Sequence, residues 1–560
     1  MRVVDSRRLR GPNLQTRGPA AIAEVALEEG EIADACVKAW KKAVAHVTEG
    51  LGWSDPPVAR AFPGGIALVL PAPIDVLMEA TEINELAIRA ASDAIAGRTT
   101  EDLEGALADL VVRMEASRRP ALIALQAVAH RLHIPFLWDD ESVTLGMAAK
   151  SRTYSLAELP TPEAVTWDTL GRIPIALVTG TNGKTTTARL IARMATLAGR
   201  VPGNTSTDGI SVGEVVVEEG DWTGPEAARL VLRRPDVDMA ILETARGGIL
   251  RRGLAVDACD VALVTNVTSD HLGEFGVCDL ATMARAKAVV GTVVHPPGGR
   301  VVLGGDDPLL LELAPTFAAP VVLFALSEES PGVRAHLAKG GELLTVRDGC
   351  FVRVAHGIAT ELGQVNVAPL TFGGAARHNV ANILAAAAVG LALGLPLAAI
   401  SEAIRTFGSL PGDNPGRGQV VRTRQGVRVL LDFGHNPAGL RELYHLARSM
   451  LGKGGRVVSV HTQPGDRNEE DTRALALEIA LASPRSIVLW ESVEYRRGRA
   501  PGEIARALRR TLVAAGYDDS SIGDAYSEPD ALGRAVLGAT IEDIVVVAPH
   551  IDRAGVMAML

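Results

Sequence analysis

A strand that runs directly into a glycine loop and then a helix commits its chain to a parallel sheet, because the helix must cross back before the next strand begins. Residues 175–194, IALVTGTNGKTTTARLIARM, have that form. IALV reads as a buried strand, and Leu190, Ile191, Met194 and Leu197 recur at helical spacing. Between them lies a phosphate loop, Gly180-Thr181-Asn182-Gly183-Lys184-Thr185-Thr186. The common loop carries a glycine five residues ahead of its Gly-Lys pair, but here that position is Val178. The loop is therefore a shortened one. Its backbone N–H groups at a helix N-terminus make an anion cradle. Lys184 is expected to reach the β/γ-phosphates of ATP and the Thr185 hydroxyl to hold Mg²⁺.

Further apolar runs at 239–242, 261–265, 301–303 and 321–323 suit strands covered on both faces. They predict a doubly wound α/β domain whose ligand lies at the carboxyl ends of its strands. Glu243 ends one such run and is a candidate Mg²⁺ ligand. Arg246 and Arg251 follow it and are placed to pair a substrate carboxylate through two bonds each. The run at 261–265 leads into Asn266, Asp270 and His271, with His271 a further candidate metal ligand. Lys184 and Glu243 are both expected on a solvent-facing rim where the strands end. Lys287 lies sixteen residues beyond His271, in a helix otherwise poor in charge.

At 560 residues the chain is too long for one core. A Pro-rich stretch, AELPTPEA, and the linker SLPGDNPGRGQ divide it into an N-terminal α+β domain (1–165), a central ATP-binding domain (166–415) and a C-terminal Rossmann-like α/β domain (416–560). The first region reads as mostly helical, for example over 80–96, with a strand in GIALVLPAP. The hydrophobic run at 384–400 is short and broken by Gly and Pro, so it predicts a buried helix, a turn and the start of another helix rather than a membrane span. A formal charge of −10 gives no footprint for nucleic acid. Four scattered cysteines without a CxxC pair and an N-terminus lacking an apolar signal core suit the cytoplasm.

Several motifs occur together in the order seen in the Mur ligases: VTGTNGKTTT, Glu243, NVTSDHLGEFG with Lys287 downstream, ARHNVANILAA and LLDFGHNP. Within that superfamily STDGISVG, GDWTGP, ILETARGGILRRGL, PGDRNEED and RRGRAPGEI resemble the ligase half of the cyanophycin synthetase family. RRLRGPNL and HRLHIPFLWDDESVTLGMAAK resemble that family's first domain. The departure is that the family's ATP-grasp domain, which would fall between Lys150 and Ile173, has no counterpart here. The resemblance implies one kind of bond rather than two.

It also implies an ADP-forming ligase joining a carboxylate to an amine through an acyl phosphate, with ATP and Mg²⁺. The partners would be a small-molecule or peptide carboxylate, aspartyl by preference, and an amine or amino acid such as arginine. Lys184, Glu243, His271 and Lys287 would form the catalytic group, Lys287 after CO₂ adds to its amine. Thr185, Glu243 and His271 would hold metal. By resemblance His378, Asn379 and Asn382 lie against adenine, while Arg417 and Asp432 reach the nucleotide when the domains close. Thr207, Asp208 and Thr223 would lie at the carboxylate site, with Asp466 and Arg467 holding the incoming amino acid. The N-terminal domain would bind the peptide or polymer, and the assembly would be a homo-oligomer. Two other readings stand beside this one: a folylpolyglutamate-synthetase-like ligase, and an ATP-gated binding or regulatory protein without catalysis.

Overall fold

The computed structural model describes residues 1–295 and 298–560. Its centre is an eleven-stranded sheet. Seven neighbouring strands run parallel, in the order Pro202–Ser206, Met239–Glu243, Ile175–Thr179, Val261–Val264, Arg300–Gly304, Val321–Phe324 and Glu342–Arg347. Antiparallel strands extend both edges. Alternate residues of Ile175–Thr179 enter different cores: Ile175 and Leu177 pack on one face, Ala176 and Val178 on the other. Both faces are covered, which is why the strand reads as an unbroken apolar run. Each buried Val or Leu contributes about 1.5–3 kcal/mol relative to exposure.

Ile175–Thr179 lies between Met239–Glu243 and Val261–Val264: the chain first builds the side of Pro202–Ser206, returns as Met239–Glu243, and then continues on the opposite side from Val261–Val264. That is a topological switch point, where the loops after neighbouring strands part and leave a crevice. The hydrophobic run at 384–400 becomes the end of helix Arg377–Ala392, a turn and the start of helix Leu397–Thr406. Among the described residues no helix is long and apolar enough to cross a membrane.

A six-stranded sheet follows the linker, with its last five strands parallel in the order Arg428–Leu431, Ile544–Ala548, Val457–His461, Ser486–Trp490 and Ile522–Ala525. His461 is buried at the end of its strand, where Nδ1 lies 2.8 Å from the Ala548 carbonyl and Nε2 2.6 Å from the Tyr444 hydroxyl. A neutral ring meets both, donating from Nδ1 and accepting at Nε2. Burial pushes its pKa down from 6.5 to about 4. The unfolded chain therefore takes up a proton near 6.5 and the folded chain only near 4. Stability is full above that window and falls by about 3 kcal/mol as pH drops through it. Denaturant midpoints at about pH 7 and pH 4.5 should show this drop, and His461→Gln should flatten it. A slope unchanged in that variant would assign the effect elsewhere.

The first region is α+β, its helices including Leu77–Ile95, but it holds more strands than the one read from GIALVLPAP. It holds a four-stranded antiparallel sheet, Arg2–Leu9, Ala20–Ala26, Gly65–Pro71 and Val58–Phe62, and a smaller three-stranded one over 136–155. Arginines on Arg2–Leu9 and alanines on Ala20–Ala26 hid these strands. Arg7 is held on the sheet by Glu24 at 2.8 Å, a partner on the adjacent strand. The helices pack on the other face, and Trp40 and Asn84 join them by a buried 2.9 Å hydrogen bond.

Candidate active site

The phosphate loop follows strand Ile175–Thr179 and opens helix Lys184–Leu197. Two glycines make it possible. Gly180 has φ +148° and Gly183 +87°, and a Cβ on either would lie about 2 Å from a neighbouring side-chain oxygen, Thr265 Oγ1 or Asn382 Oδ1. The loop is fixed from the adjoining strand end. Asn266 accepts from the Asn182 N–H at 3.0 Å and donates to the Asn182 carbonyl at 3.0 Å, and Thr265 donates to that carbonyl at 2.7 Å. Lys184 bends over the loop and donates to the Thr181 carbonyl at 3.1 Å.

Glu243 overturns the expectation of a solvent-facing rim, because it is only 2% exposed. Its neighbours across the parallel sheet cover it, and the helix after the phosphate loop lies on top. Burial raises its pKa, against the pull of Lys184, Arg417 and the Thr185 hydroxyl. Thr185 donates to its Oε2 at 2.9 Å, while Oε1 is buried without a partner. An orphaned carboxylate oxygen beside a hydroxyl is a donor set for a hard cation such as Mg²⁺. Among the described residues no three His, Cys, Asp or Glu side chains converge as a metal site.

His271 lies in a loop at 270–277 with Nδ1 3.1 Å from Glu274 Oε1. Glu274 can accept from Nδ1, an arrangement that orients the ring and directs Nε2 away from Glu274. The bond to His271, together with Arg246, holds the Glu274 carboxyl down at about 2. Asp270 is held well below the usual carboxylate range despite burial, through His435, Arg467 and His271. Lys287 is buried, at 5% exposed. It donates to the Gly180 carbonyl at 3.0 Å. Burial, with Lys184 and Arg246 nearby, holds its pKa well below the ordinary lysine range.

The adenine candidates line a cavity of about 270 Å³ above the phosphate loop, together with Arg417, Asp432 and Glu243. Asn379 donates to the Leu370 carbonyl at 3.0 Å and Asn382 to Asn379 Oδ1 at 3.0 Å. The Nδ1 of His378 is sequestered without a partner. Asp432 accepts from the Gly418 N–H at 2.7 Å, so the linker and the last sheet meet at this cavity. Asn436, which sequence reasoning did not single out, exchanges hydrogen bonds with Asn182 at 2.8 and 3.2 Å. Its signal was present in GHNP, an Asn-Pro helix start.

The substrate candidates line a second, larger cleft of about 1830 Å³, but most are already engaged. Thr207 and Asp208 form the two-residue turn of a hairpin. Asp208 is bound by Arg189 at 2.9 Å and Arg417 at 3.7 Å, and by Arg553 of the last helix. Thr207 accepts from Arg417 at 2.9 Å and lies 3.0 Å from the Thr185 hydroxyl. Thr223 donates to Asp221 at 2.7 Å. Arg246, expected to pair a substrate, is instead paired with Glu274 at 2.5 Å and donates to the His271 carbonyl at 3.0 Å. Arg251 is exposed and stacks on Phe275 at 5.4 Å. Arg467 pairs with Asp270 at 2.8 Å and Asp466 with Arg497. Arg189, Glu274 and Arg553 were missed because their partners lie on distant segments, although Glu274 stands three residues after His271 in DHLGE.

Residues 178–390 match the Mur ligase middle domain and residues 416–551 the Mur ligase glutamate ligase domain. The chain is 38% identical over 387 residues to the cyanophycin synthetase of Synechocystis sp., in an alignment covering 68% of this chain and 43% of that protein. It thus spans less than half the length of the cyanophycin synthetases it matches. It is 28% identical over 402 residues to the UDP-N-acetylmuramoyl-L-alanyl-D-glutamate–2,6-diaminopimelate ligase of Geobacter sulfurreducens, over 67% of this chain and 73% of that one. Among solved structures, E. coli FolC in complex with DHPP and ADP superposes with a TM-score of 0.50 at 21% identity, covering 67% of this chain and 85% of that one. That last likeness shows the fold alone. The two matched domains together span more than half of the chain, which belongs to the Mur ligase family.

Proposed function

We propose that this chain activates an acidic substrate as an acyl phosphate and joins it to an amine, by preference an amino acid such as arginine to an aspartyl carboxylate. The observation that carries the reading is the meeting of two cavities. The smaller one over the phosphate loop and the larger cleft share Thr181, Lys184, Thr207, Phe433 and His435 as walls. A nucleotide seated in the first would present its terminal phosphate to a carboxylate in the second.

Carboxylate and triphosphate repel each other, so catalysis needs fixed positive charge where their oxygens meet. Lys184 stands at that junction. Thr185 and Glu243 would hold Mg²⁺, which supplies Lewis-acid charge at the phosphoryl oxygens. His271 Nε2 would hold a second ion. Burial disfavours the ammonium form of Lys287, which favours the neutral amine that CO₂ addition requires; the carbamate formed, with loss of one proton, would be an anionic ligand. Arg189 and Arg553, both paired with Asp208, line the cleft wall and place guanidinium charge beside the junction, which suits an acidic substrate. Asn182–Asn436 and Asp270–Arg467 hold the last domain over the junction. That cover excludes the water that would hydrolyse an acyl phosphate.

The test is a screen of ATP with acidic peptides and amines, following nucleotide products by chromatography and ligation products by mass. The expected result is ADP and phosphate, with a product weighing acid plus amine less water. AMP as the stoichiometric nucleotide product would overturn the acyl-phosphate route.

A further inference from the structure

The loop at 270–277 carries His271 and Glu274, yet its backbone is an unfavourable one. His271 and Phe275 both have φ +53°, with Gly273 at +96° and Gly276 at +62°. Side-chain-bearing residues rarely adopt that left-handed region, and two of them within five residues persist only where the surroundings impose it. Within the loop, the Gly273 and Val277 N–H groups bond to the Val277 and Glu274 carbonyls at 2.8 and 3.1 Å. Much of the remaining support comes from the N-terminal unit.

Arg60, on strand Val58–Phe62, donates from Nη1 to the Gly276 carbonyl at 2.7 Å and from Nη2 to the Phe275 carbonyl at 3.2 Å. Phe62 of the same strand covers Gly276 so closely that a Cβ there would stand 2.6 Å from its ring. The Phe275 ring is stacked on by the Arg7 guanidinium at 4.7 Å and by Arg251 at 5.4 Å. Arg7 also donates to the Leu250 carbonyl at 3.1 Å. The segment RRLRGPN continues the dock, with Arg10 N–H on the Arg252 carbonyl at 2.7 Å and Leu254 N–H on the Pro12 carbonyl at 2.8 Å.

We infer that the N-terminal unit sets the geometry of the His271 loop, with Arg60 as a positioning residue for the imidazole that faces the cleft. A unit that served only to bind peptide would have no need to bond two successive carbonyls of this loop. The planar guanidinium fork matches both carbonyls at once, which a lysine ammonium does less well. Displacing the loop moves Glu274 and, through it, the ring it orients. The catalytic part of the inference rests on the ligase reading, whereas the mechanical part does not.

The experiment compares the full chain with Arg60→Ala and Arg60→Lys by hydrogen exchange and by steady-state ligation. In Arg60→Ala the 271–277 amides should exchange about tenfold faster, with the phosphate loop and central strands unchanged. Ligation should lose about 10–100-fold in kcat, as for other residues that orient a ligand, with KM for ATP little altered. Arg60→Lys should recover part of both. Unchanged exchange at 271–277 would overturn the clamp. Faster exchange with undiminished kcat would overturn the positioning role. Exchange that rises throughout the central sheet would mark Arg60 as a general stabiliser and also reject the proposal. The exchange arm needs no substrate, so failure of the ligase reading is distinguishable from failure of the clamp.

Discussion

Glu243→Gln should lower ligation about 10²–10³-fold, the usual loss when one group that stabilises charge in the transition state is removed. The same variant should melt within about 2 °C of the unaltered chain, or above it. The two expectations come from one fact. Glu243 is sealed at the end of a central strand, and burial disfavours its ionised form. Its charge costs stability before any cation arrives, so the isosteric amide removes a penalty along with a ligand. Gln can still accept from Thr185, but it offers no anion at the position of the orphaned Oε1. Turnover would be followed by ADP release and stability by thermal melting. Near-normal turnover would remove Glu243 from the site, and a large fall in melting temperature would contradict the burial cost.

Gly180→Ala should weaken nucleotide binding by about 100-fold or more, the equivalent of some 3 kcal/mol of backbone strain and lost contacts. Its φ of +148° lies where side-chain-bearing residues are rarely found, and the added Cβ would stand 1.8 Å from Thr265 Oγ1. That hydroxyl cannot give way freely, since it donates to the Asn182 carbonyl and helps hold the loop. Movement at Gly180 also disturbs Lys287, whose buried amine donates to the Gly180 carbonyl. One methyl group thus reaches both the phosphate cradle and a proposed metal-site residue. Titration with a fluorescent ADP analogue checks this, with circular dichroism to verify the fold. Binding within a few-fold of the unaltered chain would mean that the loop does not hold the nucleotide in this conformation.

The α/β centre was legible in the residues because local chemistry encodes burial. Apolar runs at 175–178, 239–242, 261–265, 301–303 and 321–323 each became a strand, and the glycine loop fell between strand and helix. That the phosphate loop, Glu243 and the segment before His271 follow strands of one sheet was legible for the same reason, since a parallel sheet delivers the residues after its strands to one edge. The N-terminal strands were not, because their arginines and alanines break the apolar pattern. They are stabilised instead by partners such as Glu24 across the sheet.

Charge pairing was the part that only the tertiary structure decided. A helix poor in charge hinted that Lys287 is covered, but not what covers it. Its position comes from packing against a loop a hundred residues earlier. Arg246 had the residue type for a substrate clamp, and folding also gave it Glu274 as a partner. Asp208 met arginines from the phosphate-loop helix, the linker and the last helix, and Arg60 met the His271 loop across more than two hundred residues. Periodicity records which face of an element is dry, a property of neighbours three or four residues apart. Which charged groups share a surface depends on how separate elements dock, and that is set by the packing of the whole molecule.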